Sequence, residues 1–217
     1  MSSVENASTF NHQLDGHPFF RYFTNISEGN DMITDIVQLY QNSVLAGRVG
    51  AKTLLARLME IAAEHKATTA TAWFWDLSGV DVISASFARD AFLSMQAMLA
   101  TQGAALQPVF ANAPADVLED LDISLKIAGK AMVTCSVSSS GIVSDTALIG
   151  ALDGYAQSTF ALVRERRETD AKELMAAQRD DRQIGHTAWN NRLSNLAALG
   201  LLVEIPHGRA KRYRAVV

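Results

Sequence analysis

Apolar residues recur at two different spacings along the chain, and the change between them predicts alternating helices and strands. Between residues 51 and 65, Leu54, Leu58 and Ile61 follow steps of three or four, as on the buried side of an amphipathic helix. Residues 71–77 instead form an almost continuous apolar run, which is typical of a strand covered on both faces. Further helices are predicted at 87–99 and 114–128, and further strands at 106–110 and 131–137. The alternation predicts an α/β domain with a layered, largely parallel or mixed sheet.

The segments without a clear period set the expected domain boundaries. Residues 1–17 are polar and predict a flexible leader, whereas the aromatic run at 19–25 predicts a first strand. Residues 26–46 fit either a helix or a turn. A Ser-rich stretch at 136–141 interrupts the alternation. We therefore expect an α/β domain at 18–145, a connection at 146–158 and a second domain at 159–217.

The last third of the chain has a different pattern. One helix is predicted to end at Arg167, a short second helix spans 171–177, and a third helix follows residue 187. The residues of the third helix predicted to face inward are Ala188, Trp189, Leu193, Leu196 and Leu199. Gly200 is predicted to end this helix in the left-handed conformation. Strands at 201–205 and 209–216, joined by a turn at 206–208, predict a hairpin with a cationic tip.

This region resembles the winged helix-turn-helix of bacterial transcription regulators. The motif is Thr187-Ala188-x-x-x-Arg192-Leu193-x-x-Leu196-x-x-Leu199-Gly200-Leu201-Leu202, followed by Arg212-Tyr213 in the basic wing; the likeness covers about 57 residues. In that family the third helix enters the major groove and the wing contacts phosphates or the minor groove. The resemblance implies these DNA-binding residues: His186, Thr187, Asn190, Asn191, Arg192, Asn195, Arg209, Lys211, Arg212 and Arg214.

The distribution of charge agrees with a nucleic-acid partner for this end of the chain. Residues 161–217 carry 11 Lys and Arg against 7 Asp and Glu, whereas residues 1–160 carry 8 against 16. A basic end on an acidic body indicates a module that binds a polyanion. The outward side of the third helix, however, carries His186 and asparagines where the family often has arginines.

The first domain resembles the STAS domain of sulfate transporters and anti-sigma factor antagonists. The motif that carries the likeness is Asp76-Leu77-Ser78-Gly79-Val80, and the likeness as a whole spans roughly residues 44–125. A bacterial STAS-like family of unknown function is more similar, through Ser86-Phe87-Ala88-x-Asp90, Arg48-x-x-Ala51-Lys52-x-Leu54-Leu55 and Ala111-Asn112-Ala113. The resemblance implies a β/α fold that binds a partner protein and performs no catalysis.

Two serines in this segment are candidates for modification or partner contact. In anti-sigma factor antagonists a serine at this helix start is phosphorylated, and Ser86 lies at the matching place. The neighbouring Ser84-Ala85-Ser86-Phe87 differs from the Asp-Ser-Ser-Gly of those antagonists. Ser84 or Ser86 is better interpreted as a helix N-cap.

Few residues suggest other chemistry. Cys135 has no second thiol to pair with and is expected to be a small buried residue. No two of the five histidines have metal-ligand spacing on one helix, and no catalytic motif is present. Neither a signal peptide nor a membrane span is predicted. We therefore expect a cytoplasmic protein that is not an enzyme and that binds no metal or cofactor.

These observations lead to two hypotheses. The first is a transcription regulator that binds double-stranded DNA as a homodimer, in which the STAS-like domain dimerises or senses a protein partner. The second is a partner-switching protein, similar to the anti-sigma factor antagonists, whose winged helix docks onto protein.

Overall fold

The computed structural model describes residues 20–23, 31–65, 69–102, 105–177, 184–208 and 210–217. The predicted leader at 1–17 and the predicted DNA contact Arg209 lie outside the described residues. No helix within these ranges is long and apolar enough to cross a membrane.

A six-stranded mixed sheet lies at the centre of the molecule. The first eight strands are β1 (Phe20–Phe23), β2 (Asp31–Asp35), β3 (Val44–Leu45), β4 (Thr71–Asp76), β5 (Val82–Ile83), β6 (Leu106–Ala111), β7 (Ala131–Val137) and β8 (Val143–Gly150). Their order in the large sheet is β1-β2-β4-β6-β7-β8. Strands β2, β4, β6 and β7 run parallel, and the two edge strands pair antiparallel. Strands β3 and β5 form a separate parallel pair. The predicted α/β class with a mixed, parallel-rich sheet is confirmed.

The two faces of the large sheet are buried against different parts of the chain. Side chains alternate along a strand, so in β4 Trp73 and Trp75 join one apolar cluster while Ala72 and Phe74 join the other. The first cluster includes buried residues of five helices, which cover one face of the sheet. These helices are α1 (Ile36–Tyr40), α2 (Arg48–Glu64), α3 (Ala85–Ala88), α4 (Ser94–Gln102) and α5 (Ala115–Ile127).

The C-terminal part of the chain packs on the other face. Its elements are α6 (Gly154–Arg166), β9 (Glu168–Thr169), α7 (Ala171–Ala177), α8 (His186–Ala198), β10 (Leu202–His207) and β11 (Ala210–Ala215). The three strands form a small antiparallel sheet in the order β10-β11-β9. We call residues 154–217 the C-terminal module. Its Phe160, Leu196 and Tyr213 share one apolar cluster with Phe74 and Val133 of the large sheet.

The structure differs from the sequence-based expectation at the boundary between the two parts. The connection predicted at 146–158 contains most of β8 and the start of α6. Strand β8 was missed because Ser144 and Asp145 are polar and exposed, and the pairing with β7 shifts register there. Such an irregular, polar edge strand lacks the apolar run by which buried strands are recognised.

Two further elements differ in detail from the prediction. The described part of the ambiguous stretch 26–46 contains helix α1 between strands β2 and β3. The helix begins after Asp35 because the side chain of Asp35 accepts a hydrogen bond from Gln38 N (2.9 Å) and caps α1. The helix predicted at 87–99 contains one π-helical turn, Arg89–Leu93, between α3 and α4. This wider turn lets the consecutive residues Ala91, Phe92 and Leu93 all be buried.

Candidate nucleic-acid interface

Helix α8 is held by an apolar side that faces the core of the C-terminal module. Trp189, Leu193 and Leu196 are buried, as their spacing predicts. The helix ends at Gly200, whose φ of 75° places it in the left-handed region, while Leu201 N donates to Leu196 O (3.0 Å). These three core positions and the glycine cap are confirmed, and Leu199 is half-buried against the same cluster. The inward position predicted for Ala188 is wrong, because its side chain is exposed.

The opposite side of α8 presents polar groups to solvent. His186, Thr187, Asn191 and Asn195 are exposed, and Asn190 is half-buried. The Asn190 amide nitrogen lies 3.2 Å from His186 Nδ1, which links two of these side chains one turn apart. The structure therefore brings five of the predicted residues together on one side of one helix.

Arg192 does not belong to this exposed group. Its guanidinium carbon lies 4.7 Å from the ring centroid of Tyr155 and 5.3 Å from that of Trp189. Stacking on two rings holds the guanidinium against α6 and the inner side of α8. The DNA contact predicted for Arg192 stays a prediction, and in the structure its guanidinium packs beside these two rings.

Arg212 of the hairpin is paired with carboxylates inside the module. Its guanidinium donates to Glu168 of β9 and to both carboxylate oxygens of Glu173 on α7 (2.9 and 3.2 Å), and it lies 3.9 Å from Asp170. The carboxylate of Glu173, and then that of Glu168, raises the pKa of Arg212, and the Arg212 guanidinium lowers the pKa of Glu173. The phosphate contact predicted for Arg212 stays a prediction, and in the structure three carboxylates surround the charge that would make it.

The other described cations of the hairpin differ in their surroundings. Lys211 Nζ lies 2.9 Å from the carboxylate of Glu204 on the paired strand, and this carboxylate raises the pKa of Lys211. The side chain of Lys211 remains 57% exposed. Exposed ion pairs of this kind contribute little and exchange readily with water. Arg214 is exposed, and its charge slightly lowers the pKa of Asp31 in the large sheet.

Asp31 is a buried carboxylate that the sequence-based reasoning missed. It lies at the start of β2, is 7% exposed and accepts a hydrogen bond from Ala72 N (3.0 Å). Burial raises the pKa of Asp31 to about 6, and this shift is partly offset by Ala72 N and Arg214. Met32, Ile33 and Thr34 are all buried, but this short strand gives no sequence signal that the carboxylate of its first residue is buried as well.

The serines of the first domain lie at a helix start, as predicted. Ser84 is the N-cap of α3 and accepts a hydrogen bond from Phe87 N (3.2 Å). Ser86 is exposed in the first turn, with its hydroxyl 3.2 Å from that of Ser84. The N-cap interpretation is confirmed for Ser84, whereas a role of either serine in modification or partner contact stays a prediction.

The carboxyl ends of the central strands carry polar groups that are already satisfied. Asp76 at the end of β4 accepts hydrogen bonds from Ser78 N (3.0 Å) and from the Asn112 side chain (3.2 Å), and Asn112 in turn accepts one from Val137 N (2.7 Å). Cys135 of β7 is buried, as expected, and burial raises the pKa of its thiol to about 12. Among the described residues, no three His, Cys, Asp or Glu side chains are arranged to hold a metal ion.

Comparisons of this chain with protein-family models, with curated proteins and with solved structures found no match.

Proposed function

We propose that the C-terminal module binds double-stranded DNA and that the protein is a transcription regulator. The observation that carries the proposal is the exposed polar side of α8, where Thr187, Asn191 and Asn195 stand on a helix anchored by its buried opposite side. Asparagine amides can donate and accept at the same time, which suits the base edges in the major groove.

The order of elements supports a winged helix-turn-helix. Helix α6, the short strand β9, helices α7 and α8 and the hairpin β10–β11 follow one another as in that motif, with β9 completing the small sheet. In this proposal α8 is the recognition helix and the turn between β10 and β11 is the tip of the wing.

The paired state of Arg212 changes which cations are expected to contact phosphates. Lys211 and Arg214 are exposed, and Arg209 belongs to the same hairpin by sequence. Three phosphate contacts per module would give a slope of log affinity against log salt of about −2.7, since each contact contributes about −0.9.

The large sheet and its five helices have a separate role in this proposal. They form the STAS-like part, which dimerises or senses a protein partner through surfaces away from α8. Ser86, exposed beside the N-cap of α3, is a candidate contact for such a partner.

The test is fluorescence anisotropy of the full chain on duplex DNA taken from upstream of its own coding sequence, with a scrambled duplex as the competitor. Asn191→Ala and Asn195→Ala are expected to reduce the preference for the native duplex by about 1–3 kcal/mol for each lost base contact. Gln102→Ala removes an exposed amide from α4 and is the matched control. Absence of binding at low salt, or an unchanged preference in both variants, contradicts the proposal.

A second candidate function is supported by the carboxylates around Arg212. Because Glu168, Asp170 and Glu173 surround this arginine, the hairpin presents less positive charge than its own cations suggest. The same polar side of α8 would then dock onto a protein partner. In that case neutralising Lys211 and Arg214 leaves function intact, whereas DNA binding requires these charges.

A further inference from the structure

Two isoleucines on helix α5 are exposed to solvent although the rest of the helix is well packed. Val117, Leu121 and Leu125 are buried against the sheet, whereas Ile123 is 46% exposed and Ile127 is 80% exposed. The C-terminal module packs on the other face of the sheet, so it does not cover these side chains. The two side chains lie one turn apart and form a small exposed apolar patch on the helix.

Charged residues extend this exposed side into a single stripe. Asp116, Glu119, Asp120, Ile123, Lys126 and Ile127 are all exposed and follow steps of three or four along α5. The stripe therefore has carboxylates in its first half, an apolar centre and a cation near its end. We call it the α5 stripe.

A stripe with this order is complementary to itself in the antiparallel direction. A two-fold axis through Ile123 brings the two copies of this residue together, places Lys126 opposite Asp120 of the other copy, and sets Ile127 beside Glu119. A parallel arrangement would instead place like charges together. In a two-fold symmetric dimer, both subunits use the same surface patch. Charge pairs beside the apolar contact between two helices set whether the helices run parallel or antiparallel.

We propose that the α5 stripe is a self-association surface whose partner is a second copy of this chain, bound antiparallel. The proposal goes beyond DNA binding and is tested without DNA, so either proposal can fail alone. One pair of short helices forms an interface at the small end of the known range, and we expect association in the micromolar range.

The first experiment measures the mass of the full chain by sedimentation equilibrium from about 1 to about 100 µM, which brackets micromolar association. The wild-type mass is expected to rise from 23.5 kDa toward twice that value. Ile123→Glu combined with Ile127→Glu is expected to weaken association at least tenfold. Ile142→Glu changes another exposed isoleucine, 67% exposed, and is expected to behave as wild type. A wild-type chain that stays monomeric, or a double variant that associates normally, overturns the proposal.

The second experiment tests the orientation. Lys126→Glu and Asp120→Lys are each expected to weaken association, and the two together in one chain are expected to restore it. Lys126 also pairs with Asp122 in its own helix, so circular dichroism must show that each variant remains folded. Oxidised Ile123→Cys is expected to form a covalent dimer, whereas Ile142→Cys is the control that does not. Failure of both the charge exchange and the cross-link overturns the antiparallel arrangement.

Discussion

Helix α8 and the hairpin β10–β11 are neighbours in the C-terminal module, yet they present their predicted contact residues in opposite ways. The polar side of α8 is open, with His186, Thr187 and Asn191 exposed. On the hairpin, Arg212 is held by three carboxylates and Lys211 by one. The period of a helix determines which of its residues face outward. The charge that a surface presents also depends on the side chains of other elements that folding places next to it.

The largest expected effect concerns the buried side of α8. Leu193 is fully buried between the module and the large sheet. Leu193→Ala is expected to lower the free energy of unfolding by about 2–5 kcal/mol, because it leaves a cavity in a packed core. Asn191→Ala on the exposed side is expected to change it by less than about 0.5 kcal/mol. Urea denaturation measures both values, and similar losses would show that the two sides of α8 do not differ.

The next effect concerns the carboxylate of Asp31, on which the charge of Arg214 in the hairpin acts. The pKa of Asp31 is raised from 3.8 to about 6 in the folded protein, so the folded state binds the proton more tightly. Stability is therefore expected to fall as the pH rises from about 4 to about 6, and to stay lower above that range. Asp31→Asn keeps an acceptor for Ala72 N and is expected to raise the free energy of unfolding at pH 7, by about 1–2 kcal/mol after screening.

The control for this prediction is the same comparison at low pH. Below about pH 3 the wild-type carboxyl is protonated in both states, because that lies below both pKa values, so Asp31→Asn should match wild type there. An equal gain at about pH 3 and at pH 7 would show that charge on Asp31 is not the cause.

An effect of similar size is expected at the junction between α8 and the hairpin. Gly200 has a φ of 75°, and an added Cβ would lie 3.1 Å from the side-chain oxygen of Gln107. Gly200→Ala is expected to lower the free energy of unfolding by about 1–2 kcal/mol, because a positive φ is unfavourable for alanine and the new Cβ would lie close to Gln107. Gly208→Ala, at a φ of 60° with open space around it, separates backbone strain from the contact. Thermal unfolding of both variants should show the larger loss for Gly200.

The smallest effects separate the cations of the hairpin by their response to salt. Lys211→Ala is expected to make the salt dependence of DNA binding shallower by about 1, the loss of one phosphate contact. Replacing Glu168 and Glu173 by glutamine is expected to free Arg212 and make the dependence steeper. Lys52→Ala, an exposed lysine on the first domain, is the charge-matched control. A shallower slope in the glutamine variant would contradict the account of Arg212.

Much of the fold could be predicted because the spacing of apolar residues along the chain differs between helices and strands. The strand containing Trp73 and Trp75, the buried positions Leu193 and Leu196 on α8, and the glycine cap at Gly200 were all predictable from spacing alone. Strand β8 was not, since its polar residues are extended only through pairing with β7. The sequence could name the polar and cationic residues proposed to contact DNA. It could not show which of them are exposed and which are paired with other side chains of the protein.

The sequence by itself determined where most helices and the buried central strands form, which side of the long amphipathic helices is largely buried, and that the positive charge is concentrated at the C-terminal end. Only the tertiary structure decided that the C-terminal module covers the second face of the sheet, that Arg192 stacks on Tyr155 and Trp189, and that Arg212 is paired with Glu168 and Glu173. The physical reason is one of range. Backbone propensity and apolar period act between residues a few positions apart, whereas ion pairs and ring stacking depend on groups that only folding brings together.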